Sequence, residues 1–212
     1  MKKFDNHGDM YFKEKELWDK GYTYIAGTDE VGRGPMAGPV LTAAVIIDKN
    51  HLIEGLKDSK KLTYKRREEL AEIIKKEAYA YSITYIDNNE VDKINVLEAS
   101  RKGMEACINK LKECDYVLTD CMDLRNIDVP YEGFIKGDAT SASIAAASII
   151  AKVERDHYME EMAKIYPQYG FEKHKGYVTK EHLKKIEEYG ICDLHRKSYA
   201  PVMKIIERNK CK

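Results

Sequence analysis

The sequence predicts an α/β fold in which a mixed five-stranded sheet is flanked by helices and followed by a helical C-terminal segment. Three strands dominate the first part of the chain and strands alternate with helices after them, as in a mixed sheet layered by helices. A loop of about ten residues joins the first two strands, which is typical of antiparallel neighbours. The predicted strands are 22–28, 40–48, 79–85, 115–120 and 132–136.

Helix boundaries follow from capping residues and from apolar side chains spaced 3.6 residues apart. A helix on the outside of the fold is expected over 4–20. Thr63 is the predicted N-cap of a helix that runs to about Lys76. Asn95 and Glu98 form a predicted capping box, and the helix that it opens carries an apolar stripe of Leu97, Met104, Ile108 and Leu111.

The longest helix is predicted from Ser141 to about Ile165 and contains a run of small residues that would let it lie close against a sheet. Tyr166-Pro167 is expected to stop it, because proline cannot continue a helix. Two short helices are predicted in the remaining segment, near 180–189 and 200–208.

Length and composition indicate one ordinary globular domain. The 212 residues can bury a proper core, and we expect a single domain over 1–212, with a core over about 20–165 and a helical appendage over about 166–212. No apolar run approaches the ~20 residues that span a bilayer, and the N-terminus lacks a signal-peptide pattern. The odd number of cysteines, without a C-x-x-C pair, favours reduced thiols, so we expect a cytoplasmic protein. We also expect a monomer.

The net charge of zero hides an asymmetry between the body and the tail of the chain. The segment 164–212 carries 12 Lys and Arg against 6 Asp and Glu, whereas 1–163 carries 24 against 30. A basic end beside an acidic body is compatible with a protein that grips a polyanion and holds cations. A solvated basic surface would give the same count.

Acidic residues stand at the ends of three predicted strands. Asp29 and Glu30 follow the first strand, Asp120 ends the fourth and Asp138 comes just after the fifth. Functional groups gather at the carboxyl ends of strands in open α/β sheets, so parallel neighbours would bring four carboxylates to one edge. Such a group cannot ionise fully without cations, and oxygen ligands favour Mg²⁺ or Mn²⁺. Two such ions about 4 Å apart are the usual device for displacement at phosphorus.

Each of these residues also has a simpler interpretation. Neighbouring residues on a strand point to opposite faces, so Glu30 would reach the same site only if the strand had already turned. Asp123 and Asp128 compete with Asp120, and Asp138 would suit the cap of the long helix. The residues alone therefore predict a metal-dependent phosphoryl-transfer enzyme and nothing more specific.

The segment 27–40, Gly-Thr-Asp-Glu-Val-Gly-Arg-Gly-Pro-Met-Ala-Gly-Pro-Val, resembles the signature of the ribonuclease HII family. Further segments resemble the family in the same order, over about residues 10–205: Asp58-Ser59-Lys60-Lys61-Leu62, Gly137-Asp138, 144–149, 151–153, Arg155-Asp156, Tyr166-Pro167, His174-Lys175-Gly176-Tyr177 and 195–201. The stretch 167–182 is similar to the bacterial branch. The resemblance implies a ribonuclease-H-like fold.

The resemblance also implies a reaction. Members of the family cut the RNA strand of RNA–DNA hybrids, and cut on the 5′ side of ribonucleotides embedded in duplex DNA, leaving a 3′-hydroxyl and a 5′-phosphate. Such an activity serves ribonucleotide removal in DNA repair and replication. Asp29, Glu30, Asp120 and Asp138 match the four metal-binding carboxylates of the family, with Asp29 bridging two ions. One ion would activate water and the other would stabilise the leaving 3′ oxygen, so no protein nucleophile is needed.

Substrate-binding residues follow from the same resemblance. Gly32-Arg33-Gly34 matches the turn that reads the 2′-hydroxyl, the group that distinguishes RNA from DNA. Glycines let backbone groups approach a sugar closely. Tyr177 matches the tyrosine that packs on the deoxyribose following the ribonucleotide. Phosphate contacts are expected from Ser59, Lys60 and Lys61.

Two residues depart from the family pattern. Cys121 stands where many members have glycine, which keeps Asp123 as an alternative to Asp120, and Met36 replaces leucine at similar volume. The tail 205–212 carries no aromatic sliding-clamp motif, so a clamp-tethered complex is not expected. The rival functions are a nuclease for DNA junctions or long hybrids and a non-catalytic hybrid-binding protein. Binding a polyanion would gain nothing from four carboxylates.

Overall fold

The computed structural model describes residues 8–210 and contains one mixed sheet of five strands. Its strands are β1 (Ile25–Val31), β2 (Val40–Ile46), β3 (Ala80–Ile86), β4 (Tyr116–Asp120) and β5 (Tyr131–Phe134). Their order across the sheet is β3-β2-β1-β4-β5. β2 runs antiparallel to both β1 and β3, whereas β1, β4 and β5 run parallel. The predicted mixed five-stranded sheet is confirmed.

Helices cover both faces of this sheet. They are α1 (Phe12–Asp19), α2 (Tyr64–Glu77), α3 (Asn88–Ile94), α4 (Val96–Lys110), α5 (Ala142–Ile165), α6 (Phe171–His174), α7 (Lys180–Tyr189) and α8 (Ala200–Lys210), with 3₁₀ turns at Ser59–Lys61 and Gly137–Ala139. Thr63 caps α2 as predicted, by accepting a hydrogen bond from the Arg66 N–H at 3.3 Å. Ser141 caps α5 through the Ile144 N–H, and α5 ends at the predicted residue.

Several local predictions were incomplete. Asn95 caps α4, but the Glu98 side chain pairs with Arg101, so the capping box is only half formed. Leu97 is 43% exposed and does not share the buried stripe of α4. The short helices α3 and α6 were missed, because seven and four residues are too few for a helical period to be recognised. The predicted outer helix is observed over 12–19, and residues 4–7 lie outside the described part of the chain.

The strand β2, which lies between β3 and β1, is largely apolar on both faces, and this fixes the two helical layers. Leu41, Ala43 and Val45 pack against α5 and α2. Ala44 and Ile46 point the other way and pack against α4. This alternation is the period of two that a strand imposes on its side chains. A strand of this kind must lie inside the sheet, and β2 does.

The close approach of α5 to the sheet depends on a glycine. A Cβ on Gly27 of β1 would lie 2.0 Å from the backbone carbon of Ser143, inside any permitted contact distance. The small residues of α5 were predicted to let it lie close to a sheet, and this contact shows where. It brings the middle of α5, including Ser148, beside the end of β1, where Asp29 lies.

The C-terminal segment packs onto the loop that follows β1. Met36 and Ala37 of that loop share a hydrophobic cluster with α5 and with side chains of the segment, including Phe171 and Ile186. Ala37 also forms an antiparallel bridge with His195. None of the helices within residues 8–210 combines the length and apolar character that a bilayer crossing needs. A single domain with a C-terminal appendage stays a prediction.

Candidate active site

Three carboxylates meet where β1, β4 and β5 end. Thr28 of β1 pairs with Thr119 of β4, so the next residues, Asp29 and Asp120, lie side by side on parallel strands. Asp138 enters from the 3₁₀ turn that follows β5. One carboxylate oxygen from each acid lies within 4.8 Å of the other two, with Asp29 and Asp138 buried and Asp120 half-buried.

Each of the three carboxylates has a specific local partner. Asp29 accepts a hydrogen bond from the Glu30 N–H at 2.8 Å. Asp120 accepts one from the Gly137 N–H at 2.8 Å, which ties β4 to the turn that carries Asp138. Asp138 lies 3.2 Å from the Lys60 ammonium group. These contacts orient the carboxylates but do not neutralise all of them.

Burial and mutual repulsion disfavour the ionised carboxylates. Burial, followed by the charges of Glu30 and Asp120, raises the pKa of Asp29 well above its ordinary range. Burial also raises the pKa of Asp120, with a further contribution from the charge of Asp138 and opposition from the Gly137 N–H. The ionised forms of these carboxylates are unfavourable on their own, and a bound cation would stabilise them. The oxygen-only donor set therefore fits a hard divalent ion.

Glu30 lines the same cleft, but its carboxylate is not part of the group of three. Its neighbour Asp29 faces the other carboxylates, and adjacent strand residues point to opposite faces. The Glu30 carboxylate lies 3.3 Å from Arg33, within the turn that follows β1. Glu30 could share the site of Asp29 only if the strand had already turned at that residue. The strand β1 continues to Val31, so it has not turned at Glu30.

The structure separates Asp120 from its competitors. Asp123 accepts a hydrogen bond from the Tyr131 hydroxyl at 2.8 Å, and its side chain is 68% exposed. Asp128 is exposed on the rim of a different groove. Asp138 does not cap α5, because the cap is Ser141. Asp120 and Asp138 are therefore the residues that join Asp29.

A cleft of about 170 Å³ opens over these carboxylates. Its lining combines acidic and basic side chains, a charge pattern suited to a phosphate backbone and its cations. The lining residues are Asp29, Glu30, Val31, Ser59, Lys60, Arg67, Asp120, Ser148, Lys152 and Tyr177. Ser59 and Lys60 line the cleft, and their contacts with phosphate stay a prediction. Lys61 lies in the same 3₁₀ turn but is exposed and outside the lining.

Two fully buried arginines hold the backbone of the glycine loop (residues 32–39). Arg155 donates from Nη2 to the Ala37 carbonyl at 3.1 Å, and Arg196 donates from Nη2 to the Gly32 carbonyl at 2.7 Å. Gly32 has a φ of +92°, and a Cβ there would lie 2.3 Å from Arg155 Nε. The position accepts only glycine, because both the backbone conformation and the available space exclude a side chain.

Tyr177 borders the cleft beside the glycine turn (Gly32-Arg33-Gly34). Its ring is 40% exposed and its centroid lies 5.9 Å from the Arg155 guanidinium. Its N–H donates to the His174 carbonyl at 2.8 Å, and its carbonyl lies 3.0 Å from His182 Nδ1. A Cβ on Gly34 would meet only Tyr177 Cε1, at an ordinary 3.7 Å. The backbone of Tyr177 is therefore held in place, and its exposed ring is available to a ligand.

Sequence reasoning missed the contribution of α5 to the site. Ser148 and Lys152 line the cleft, and Lys152 Nζ lies 2.6 Å from Asp156. Ser148 and Lys152 are four residues apart on α5, so they share one face of the helix. The spacing of Ser148 and Lys152 is the signal in the sequence that could have identified this face of α5. The polar face of α5 completes the cleft opposite Asp29.

The substitution Glu30→Gln gives a pH-dependent test of this electrostatic picture. Burial raises the pKa of Glu30 from 4.5 to about 7. The positive charge of Arg33 opposes this shift, and the negative charge of Asp120 adds to it. In metal-free protein the wild type should therefore lose stability relative to the Gln variant as pH rises from about 4.5 to about 7. The difference should reach on the order of 3 kcal/mol above pH 7 and vanish below pH 4.5.

Denaturant unfolding in chelator at pH 4.5 and pH 8 measures this difference. Divalent ions at pH 8 should stabilise the wild type more than the variant, since they favour the ionised carboxylates. A difference between the two proteins that does not change with pH would contradict the raised pKa of Glu30.

Comparison with known proteins connects this geometry to one family. The family model described as Ribonuclease HII matches residues 26–202. A protein named Ribonuclease HII from Acholeplasma laidlawii is 52% identical over 196 residues, which cover 92% of this chain and 96% of the relative.

Solved structures agree with the sequence comparison. The crystal structure of ribonuclease H2 from Pyrococcus horikoshii matches with a TM-score of 0.77 and 25% identity, covering 89% of this chain and 99% of that chain. The ribonuclease HII of Archaeoglobus fulgidus, solved in a complex with PCNA, matches with a TM-score of 0.74 and 28% identity, covering 85% of this chain and 96% of that chain.

Proposed function

Because the chain belongs to the ribonuclease HII family, and is thus an endonuclease for the RNA of RNA–DNA hybrids, we propose that it also cuts 5′ to single ribonucleotides in duplex DNA. The observation that carries the proposal is the group of Asp29, Asp120 and Asp138, whose carboxylate oxygens lie within 4.8 Å of one another beneath an open cleft. The products would be a 3′-hydroxyl and a 5′-phosphate, as ribonucleotide removal in repair and replication requires.

Two divalent ions, Mg²⁺ or Mn²⁺, would be held by Asp29, Asp120 and Asp138, with Glu30 as the fourth proposed ligand. When bound, such ions activate a water molecule and stabilise the leaving 3′ oxygen. The raised pKa of Asp29, caused by burial and then by its acidic neighbours, supports this role, since cations would relieve the repulsion. Glu30 would have to leave Arg33, 3.3 Å away, to join the other three.

The residues around the carboxylates would position the substrate. Lys60 lies 3.2 Å from Asp138 and its side chain is 80% exposed, so it can reach a phosphate by exchanging its contact with the Asp138 carboxylate for one with the substrate. Ser59 lines the cleft beside Lys60, and the exposed Lys61 would contact the sugar–phosphate backbone of the substrate farther along the duplex. Such contacts fix the register of a duplex but carry no sequence information.

Sugar recognition would come from the glycine turn and from Tyr177. Arg33 and Gly34 are exposed beside the cleft, so their backbone groups can approach a 2′-hydroxyl. The exposed ring of Tyr177 would pack against the deoxyribose that follows the ribonucleotide. This pair of contacts would select a junction from RNA to DNA. The Archaeoglobus relative was solved with PCNA, but for this chain we keep the expectation of no clamp tether and of a monomer.

A substrate panel tests the proposed function. With Mg²⁺ or Mn²⁺, a DNA duplex bearing one ribonucleotide and an RNA–DNA hybrid should both be cut, and an all-DNA four-way junction should remain intact. Excess chelator should abolish both activities. Cleavage of the junction with the single-ribonucleotide duplex left whole would favour a junction nuclease. Tight binding of all three without cleavage would favour a hybrid-binding protein.

A further inference from the structure

Two side chains of the C-terminal segment hold the carbonyl groups of the glycine turn from behind. Arg196 donates from Nη2 to the Gly32 carbonyl at 2.7 Å and from Nη1 to the Arg33 carbonyl at 3.3 Å. The Tyr199 hydroxyl donates to the same Arg33 carbonyl. The Gly32 and Arg33 carbonyls are thus both engaged by groups more than 160 residues away in the sequence.

The Arg196 guanidinium is itself fixed by contacts that do not involve the turn. Its Nε donates to the Gly38 carbonyl at 2.9 Å, and its Nη1 donates to the Tyr199 hydroxyl at 2.8 Å. Its backbone N–H donates to the Met36 carbonyl at 2.9 Å. The side chain is fully buried, and its guanidinium carbon lies 5.1 Å from the centroid of the Tyr199 ring. The pair therefore forms a rigid support.

Because a peptide unit is planar, fixing its carbonyl also fixes the direction of its N–H group. No peptide bond among residues 8–210 is cis, so the C=O and N–H of each unit point in opposite directions. With the Gly32 and Arg33 carbonyls turned toward Arg196, the N–H groups of Arg33 and Gly34 point away from it. Arg33 and Gly34 are exposed, so these two donors face the open side of the turn.

From these contacts the geometry points to Arg196 and Tyr199 as positioning residues that set the preference for a ribonucleotide. They hold the Arg33 and Gly34 N–H groups aimed at the 2′ oxygen of the substrate without touching the substrate themselves. Glycine peptides rotate easily, and a turn without this support would sample orientations that present carbonyls instead. The inference rests on the proposed reading of the 2′-hydroxyl by the glycine turn.

The variant Tyr199→Phe separates positioning from folding. It removes the hydroxyl that donates to Arg33 and keeps the ring, which packs beside Val40 and Ile86. The matched control is Tyr169→Phe, which removes a hydroxyl that donates to the Gly190 carbonyl at 3.0 Å in the same C-terminal segment.

The readout is the ratio of two dissociation constants, for an all-DNA duplex and for the same duplex with one ribonucleotide. Measuring in the Asp138→Asn background keeps the ribonucleotide duplex intact. Tyr199→Phe should lower this ratio at least about threefold, the scale of one hydrogen bond, and leave the all-DNA affinity unchanged. Arg196→Lys keeps the positive charge but loses the planar guanidinium group that donates to several carbonyls at once, so it should lower the ratio further. Tyr169→Phe should not change it.

An unchanged ratio in Tyr199→Phe, or an equal fall in Tyr169→Phe, would overturn the inference and leave the proposed function standing. Equal binding of both duplexes by the Asp138→Asn parent would have a different meaning. It would overturn the reading of the 2′-hydroxyl by the glycine turn, and this inference with it.

Discussion

Asp29→Asn should lower the rate of cleavage by at least about 10³-fold, because it removes the charge at the centre of the carboxylate group. Losing several kcal/mol of charge stabilisation in the transition state corresponds to a loss of this size. The variant should nevertheless be at least as stable as the wild type in chelator. Burial and the neighbouring acids raise the pKa of Asp29, so its ionised form opposes folding at neutral pH and a neutral amide does not.

Single-turnover cleavage and thermal unfolding of the same preparations check both halves of this expectation. Asp123→Asn is the matched control, because Asp123 lies three residues from Asp120 but is 68% exposed and outside the group. Asp138→Asn should lose cleavage activity to a similar extent, because Asp138 belongs to the same group of three carboxylates. Retention of activity by either of these variants, or a comparable loss in Asp123→Asn, would remove the corresponding assignment.

Gly34→Ala should lower kcat/KM for a single-ribonucleotide duplex by about 10²-fold while leaving the protein fully folded. Within the protein the added Cβ would meet only Tyr177 Cε1, at 3.7 Å, and Gly34 has no left-handed φ to strain. The protein therefore does not need glycine at this position for its own packing. A sugar held against the turn would meet the added methyl group, and a displacement of about 1 Å can cost a factor of this size.

The neighbouring glycine provides the contrast. Gly32→Ala should destabilise the protein strongly, because its φ is +92° and the Cβ would lie 2.7 Å from the Pro39 carbonyl oxygen. Comparing the melting temperatures and kcat/KM of the two variants separates a folding glycine from a substrate-binding glycine. Full activity of Gly34→Ala would contradict close approach of the sugar to this turn.

The sheet and the carboxylate group could be predicted because each depends on a short-range signal. Apolar runs set the strands, and acids at three strand ends met because β1, β4 and β5 are parallel neighbours. Asp120 could not be separated from Asp123 in this way. The choice depends on the register of β4 against β1, which places Asp120 beside Asp29. No local pattern contains that register.

The support of the glycine loop could not be predicted, because it depends on long-range contacts. Arg155 and Arg196 look like ordinary charged residues in the sequence, yet both are fully buried. Their described hydrogen bonds go to backbone carbonyls, except for the bond of Arg196 to the Tyr199 hydroxyl. A buried charge is tolerated here because several carbonyl dipoles surround it. The pairing of Glu30 with Arg33 is a short-range contact, but the sequence does not fix the direction of either side chain in the turn that follows β1.

Mapping the cut in a DNA duplex with one ribonucleotide, together with the chemistry of the new ends, tests the central proposal most directly. A 2′-hydroxyl can attack only the phosphate on its own 3′ side, and that attack leaves a cyclic phosphate. Hydrolysis supported by the carboxylate-held ions instead predicts one cut on the 5′ side, a 3′-hydroxyl on the DNA, a 5′-phosphate on the ribonucleotide, and no cut in chelator. A cut on the 3′ side with a cyclic phosphate, or cleavage that persists in chelator, would contradict it.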